Sequence, residues 1–150
     1  MSYRYMKTGL LLCLLILCLM GCIGKGRKGK EAEKQNVEYE ICSEDMLPDE
    51  LRDIIEQKKE RRFKLSYNTS KYTYIAIGYG MHSVDGYMVW LKDIYATDKA
   101  CYIQCSLVTR DYVEGLGDGA KDMVLSEASV CPYMVIRCRR LDKSVAYYMP

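Results

Sequence analysis

The chain of 150 residues is long enough for one modest domain and too short for several. Its formal net charge of +2 hides an asymmetry, because seven of the 22 lysines and arginines precede residue 35 whereas eighteen of the 20 acidic residues follow it. From Gln35 onward the chain is slightly acidic and shows no clustered basic face, which argues against nucleic-acid binding.

The first 21 residues have the layout of an export signal. Arg4 and Lys7 precede an uncharged, leucine-rich segment, and the small residue Gly21 stands directly before Cys22. The segment is shorter than the roughly 20 apolar residues that a membrane-spanning helix needs. The sequence around Cys22 resembles the lipobox of bacterial lipoproteins. That resemblance implies cleavage before Cys22 and attachment of a diacylglyceryl lipid, with palmitate-type chains, to its thiol.

A lipid on Cys22 would anchor the mature protein to the bacterial cell membrane, outside the cytoplasm. Residues 22–35 are basic and glycine-rich, so they are predicted to form a flexible tether whose cations favour an anionic lipid surface. The predicted organisation is a signal peptide (1–21), this tether and a domain (36–150). An uncleaved signal anchor and a buried core helix are the alternatives for the leader.

Past the tether, the alternation of apolar and polar residues from Val37 to Ile41 predicts a half-buried first strand. A helix is predicted to begin at Pro48, because acidic residues follow at once and basic residues cluster about ten residues later, which suits the two ends of the helix dipole. An apolar stripe that includes Leu51 and Ile55 predicts packing against a sheet.

After the helix the apolar period changes to two. This predicts six strands, at 63–67, 72–79, 86–95, 100–109, 132–139 and 145–149. The short sequential connections favour antiparallel pairing, and Gly115, Gly117 and Gly119 predict a mobile loop. The predicted fold class is α+β: a mainly antiparallel twisted sheet, as an open barrel or sandwich-like, with one N-terminal helix packed on it.

Five cysteines remain once the leader and the lipid site are set aside: Cys42, Cys101, Cys105, Cys131 and Cys138. In an extended segment Cys101 and Cys105 would stand roughly 13 Å apart, which excludes a mutual disulfide and a shared metal ion. Buried free thiols are the favoured interpretation, and a cross-strand bridge to Cys131 or Cys138 is the alternative, because sequence does not define connectivity. No metal or cofactor site is predicted.

Three segments of the second half carry a family resemblance: Tyr74 to Gly80, Ser83 to Tyr87, and Cys131 to Ile136. Over roughly residues 63–141 they resemble the C-terminal domain of the PrcB family. That family's pattern is a hydrophobic strand ending in glycine, a turn reading Pro-Thr-Gly-Gly-Tyr, a second strand and a late Pro-Tyr followed by aliphatic residues.

The resemblance implies an accessory lipoprotein of a surface protease complex that binds and stabilises the protease. On that basis the turn residues His82, Asp85, Gly86 and Tyr87 are predicted to bind a protein partner, with a surface protease as the candidate. Gly86 and Tyr87 match the family's turn, whereas Ser83, Val84 and Asp85 depart from it. One alternative is a protease inhibitor that presents the 82–87 turn, since the turn weakly resembles the loop of chagasin-like inhibitors. The other is an ordinary hairpin whose glycine supplies a positive backbone angle.

Candidates for catalysis are few, and no enzyme is predicted. His82 is the single histidine, and no cysteine lies in a known nucleophile turn. The glycines at 115, 117 and 119 lack the Lys and Ser or Thr of a phosphate loop. Tyr72, Tyr74, Tyr79 and Tyr87 are interpreted as an exposed aromatic binding face or as a sheet face that meets solvent through its hydroxyls.

Overall fold

The computed structural model describes residues 33–150. The predicted signal peptide at 1–21, the lipid site Cys22 and most of the tether at 22–35 lie outside the described residues. Within the described range, no helix is both long enough and apolar enough to cross a membrane.

Strands dominate the described residues, and the fold is mixed α+β with mostly antiparallel pairing, as predicted. The strands are β1 (Gln35–Asn36), β2 (Tyr39–Ile41), β3 (Arg62–Asn68), β4 (Tyr72–Tyr79), β5 (Tyr87–Ala96), β6 (Ala100–Thr109), β7 (Val124–Leu125), β8 (Tyr133–Arg139) and β9 (Ser144–Tyr148). The α-helices are α1 (Asp49–Lys58) and α2 (Arg110–Gly115), and short 3-10 helices span Glu44–Met46 and Gly117–Ala120.

The strands form two sheets. One has the order β1-β5-β6-β9, with β7 also paired to β5, and the other has the order β2-β8-β4-β3. The predicted first strand, Val37 to Ile41, is wrong in its bounds. Only Tyr39–Ile41 are extended as β2, because the chain leaves β1 of the other sheet at Asn36 and crosses between the sheets before Tyr39. The expectation of antiparallel pairing is also incomplete, since β9 runs parallel to β6.

One core joins the two sheets. It contains Ile75 and Ile77 from β4, Val89 from β5, Ile103 from β6 and Ile136 from β8, all nearly or fully buried. Cys101, Cys105 and Cys138 belong to the same core. The alternate residues of β4 point the other way, so that this strand is covered on both faces.

The second core lies under helix α1. Leu51 and Ile55 of the helix are buried against Phe63, Tyr74 and Ala76 of the sheet. Pro48, the predicted first residue, stands at the N-cap, so the helix begins one position later, at Asp49; the acidic first turn and basic last turn are present as expected. The apolar stripe therefore packs on a sheet, as the sequence predicts.

The predicted glycine loop is wrong, because residues 110–120 are largely helical. The side chain of Thr109 caps α2 by accepting a hydrogen bond from the backbone N–H of Tyr112 at 3.3 Å. Gly117, at φ +53°, then opens the 3-10 helix Gly117–Ala120. The three glycines favoured a loop, whereas the cap of Thr109 stabilises a helix at the start of this segment.

Candidate functional site

The turn between β4 and β5 is held by three other segments of the chain. The backbone N–H of Met81 donates to the carbonyl of Glu60 at 3.1 Å, and that of His82 donates to the carbonyl of Val130 at 2.8 Å. At the other end of the turn the N–H of Arg110 donates to the carbonyl of Gly86 at 2.9 Å. The turn is therefore fixed in position by segments far apart in the sequence.

Gly86 adopts a backbone angle that favours glycine. Its φ is +103°, and the nearest atom to an added Cβ would be the Cβ of Arg110 at 3.9 Å. The requirement for glycine thus comes from the backbone conformation and not from a lack of space. The carboxylate of Asp85 accepts a hydrogen bond from the Gly86 N–H at 2.7 Å, which stabilises the same conformation.

The structure brings His82 and Tyr87 together at the two ends of the turn. Their rings are stacked with centroids 4.2 Å apart and an interplanar angle of 26°. Both side chains are half-buried, and Nε2 of His82 is shielded from solvent without a hydrogen-bond partner among residues 33–150. The pair therefore supports the shape of the turn and offers only part of its surface to a partner.

Sequence reasoning missed the most exposed apolar side chains of this region. Met81 and Val84 are each 59% exposed, and Tyr112 and Val130 are also exposed. With Tyr87 they form what we call the turn patch: Met81, Val84, Tyr87, Tyr112 and Val130. The valine at position 84, where the turn departs from the family pattern, is the one signal in the sequence that could have pointed to it.

A groove of about 410 Å³ adjoins the turn patch. Tyr87 and Tyr112 of the patch line it together with Trp90 and residues of β6. The ammonium group of Lys92 lies 4.7 Å from the centre of the Trp90 ring. Aromatic side chains beside a cation are typical of protein-binding surfaces, since they combine apolar area with polar tips.

The turn patch lies far from the point where the N-terminal segment joins the domain. β1 pairs with Tyr95 and Ala96 at the end of β5, whereas Tyr87 begins the same strand. Nine residues of extended chain span about 30 Å. The two ends of β5 therefore present the N-terminal entry and the turn patch at opposite ends of the strand.

The chain matches no protein-family model, no curated protein and no solved structure.

The interpretation of an exposed tyrosine face on β4 is wrong for part of that strand. Tyr74 is only 5% exposed and packs in the core under α1, while Tyr79 is half-buried. Tyr72 is exposed, but it lies at the opposite end of β4 from the turn. Tyr87 is thus the member of the predicted set that belongs to the turn patch.

The five cysteines of the described residues are free thiols. Burial raises the pKa of Cys105 to about 12 and that of Cys138 to about 11, so both remain protonated near neutral pH. No hydrogen bond joins His82 to a cysteine within residues 33–150, and the same residues contain no group of three or more metal-ligating side chains.

Alkaline pH is expected to destabilise the domain because of its buried thiols. Above the ordinary thiol pKa of 9.0, unfolded Cys105 loses its proton, whereas folded Cys105 keeps it up to about pH 12. The folded state then binds more protons, so the free energy of unfolding falls by about 1.4 kcal/mol per pH unit from this residue.

Thermal unfolding at constant ionic strength checks this expectation. The melting temperature should be nearly constant between pH 7 and 8 and fall above pH 9. The fall should be less steep in Cys105→Ala, which has no thiol to ionise at this position. Equal slopes of melting temperature against pH for the two proteins would contradict a raised pKa of Cys105 in the folded state.

Proposed function

We propose that this chain is a lipid-anchored, non-catalytic protein of the bacterial cell envelope that acts as an accessory module for a protein partner. The partner meets the turn patch and the predicted turn residues His82, Asp85, Gly86 and Tyr87. A surface protease is the candidate partner, on the basis of the PrcB-family resemblance. In this proposal the two sheets form a sandwich that carries the turn at one end.

The observation that carries the proposal is the exposed apolar surface of the turn patch. Three separate segments contribute to it. The hydrogen bonds of His82 to Val130 and of Arg110 to Gly86 join them, and the bond of Met81 to Glu60 further fixes the turn. A flexible loop would lose conformational entropy on binding, whereas a surface that is already fixed loses little. Exposed methionine, valine and tyrosine side chains on a rigid support are suited to bury apolar area against a protein.

The position of the turn patch supports a protein partner over a lipid surface. The N-terminal segment enters beside Ala96, at the other end of β5 from Tyr87. A tether of residues 22–35 leading to a lipid on Cys22 would therefore attach at the end of the strand remote from the turn patch. This arrangement leaves the turn patch free to meet other envelope proteins.

A protease inhibitor is the alternative function. The positive φ of Gly86 and the hydrogen bonds at both ends give the 82–87 turn a fixed, projecting shape, which an inhibitor needs. Protease assays separate the two functions. An inhibitor would lower protease turnover at stoichiometric dose, whereas an accessory module would leave turnover intact and lengthen the lifetime of the protease.

Lipid attachment is expected to depend on Cys22 and not on the other leader cysteines. Cells given an alkyne analogue of palmitate should label the full-length protein, and Cys22→Ala should lose the label and remain uncleaved. Cys18→Ala is the matched control, because it removes a thiol from the same leader and should label normally. Equal labelling of the Cys22→Ala and wild-type proteins would refute the proposed anchor.

A further inference from the structure

The edge strands of the two sheets lie side by side. β9 ends the order of one sheet and β3 ends the order of the other. Arg62 donates to the carbonyl of Met149, and Nζ of Lys64 lies 5.7 Å from the centre of the Tyr147 ring. Arg62 contacts Met149, whereas Lys64, two residues later in β3, contacts Tyr147, two residues earlier in the chain. The two edges therefore run antiparallel, and side chains of β3 make the contacts between them.

A cavity of about 590 Å³ opens in this gap. We call its lining the seam: Lys58, Arg62, Phe63, Lys64, Tyr147 and Met149. The ring of Phe63, the ring of Tyr147 and the side chain of Met149 give it apolar walls. A site of this size, with apolar walls and a few charged groups, has the general character of a ligand-binding cleft.

The charged groups of the seam are all cations. Among residues 33–150, none of Lys58, Arg62 and Lys64 forms a salt bridge with an Asp or Glu carboxylate. Arg62 instead donates to a main-chain oxygen of Pro150, the last residue, at 3.2 Å and lies 5.2 Å from the centre of the Tyr79 ring. From Gln35 onward the chain is slightly acidic, so three cations without an Asp or Glu partner around one cavity are a local excess of positive charge. They favour an anionic ligand.

Both strands of the seam also have a free main-chain edge. Within the described residues, β3 pairs only with β4, and β9 pairs only with β6. An extended peptide can satisfy unpaired N–H and C=O groups of an edge strand, whereas a small anion cannot. The charges and the free edges together therefore fit one class of ligand.

We propose that the seam binds an acidic, extended peptide segment. Its main chain pairs with the free edge of β9, and its carboxylates reach Lys58, Arg62 and Lys64. The inference goes beyond the proposed function, since none of these residues belongs to the turn patch. A negative binding result for the seam would therefore leave the proposed function of the turn patch standing, and the reverse also holds.

The test uses a synthetic heptapeptide of alternating Glu and Val that carries a neutral dye. Its length covers the five residues of β9 and extends beyond them at both ends. Fluorescence anisotropy with the full-length protein in mild detergent should show saturable binding of one peptide per chain. Raising the salt concentration from about 50 to about 300 mM should weaken binding, because it screens the contacts between exposed charges.

Two variants and a modified peptide locate the binding. Lys64→Glu should weaken binding at least about tenfold, because it replaces a seam cation by an anion. Lys71→Glu is the matched control, since Lys71 is an exposed lysine in the turn between β3 and β4 and is expected to bind as wild type. The same peptide with alternate backbone nitrogens methylated should also bind at least about tenfold more weakly, because methylation removes the N–H groups that pair with an edge strand.

Four outcomes would overturn the inference. The absence of saturable binding is the first, and equal losses for Lys64→Glu and Lys71→Glu are the second. Unchanged affinity of the methylated peptide would show that charge alone attracts it, without edge pairing. Lys64-dependent binding of phosphatidylglycerol vesicles, without peptide binding, would assign the seam to a membrane surface.

Discussion

Replacing Leu51 by alanine is expected to lower the free energy of unfolding by about 3 kcal/mol. Leu51 is fully buried in α1 and packs with Ile55 against Phe63 and Tyr74. Alanine would leave a cavity between the helix and the sheet, since the surrounding rigid strands can collapse only in part. For a domain of this size the melting temperature should fall by roughly 10 °C.

Urea and thermal unfolding measure this loss. Gln57→Ala is the matched control, because Gln57 is exposed on the same helix and should change the stability by less than about 0.5 kcal/mol. If Leu51→Ala were as stable as the control, the packing of α1 on the sheet would be wrong. Both variants keep a good helix former, so the comparison isolates the buried contact.

Val84→Asp is expected to abolish most of the binding to the protein partner. The side chain of Val84 is 59% exposed at the tip of the turn, so the change should leave stability within about 0.5 kcal/mol of wild type. In a complex, however, it would place a second carboxylate beside Asp85 in an apolar interface. A buried, unpaired charge of this kind weakens association by at least about tenfold.

The bounds of β4 and β6, one strand from each sheet, could be predicted from the sequence. β4 and β6 begin and end at the predicted residues, because each is an apolar run bounded by turn-forming residues. The assignment of strands to two sheets could not be predicted, since the same apolar pattern serves either sheet. The parallel pairing of β9 with β6 likewise depends on how the chain returns in space.

Gly78 shows a close contact that the sequence does not reveal. The predicted strand at 72–79 contains a glycine at position 78, and the sequence gives no physical reason for it. In the structure, a Cβ at position 78 would lie 2.1 Å from Cε1 of Phe63. The buried ring on the neighbouring strand therefore requires glycine here, and only the register of β3 with β4 reveals it.

The location of the candidate site at the 82–87 turn could be predicted from the sequence, but several of the residues that form its surface could not. His82, Asp85, Gly86 and Tyr87 were identified from the turn and the resemblance, and the structure places them in one ordered turn. Exposure of Met81, Tyr112 and Val130 depends on three segments that meet only after folding, so no local pattern indicates it. Whether these residues bind a partner stays a prediction.

Affinity capture of the full-length protein from native membranes, through a C-terminal tag and under mild detergent, measures partner binding at the turn patch. Wild type, Val84→Asp and the matched control Ser70→Asp are compared by quantitative mass spectrometry. Ser70→Asp adds the same charge to an exposed turn at the opposite end of β4.

We expect one envelope protein, with a surface protease as the candidate, to be recovered with wild type and with Ser70→Asp. Its recovery should fall at least about tenfold with Val84→Asp. Equal recovery of the same partners with all three proteins would contradict the assignment of the turn patch. Recovery of no partner with the wild-type protein would contradict a stable accessory complex.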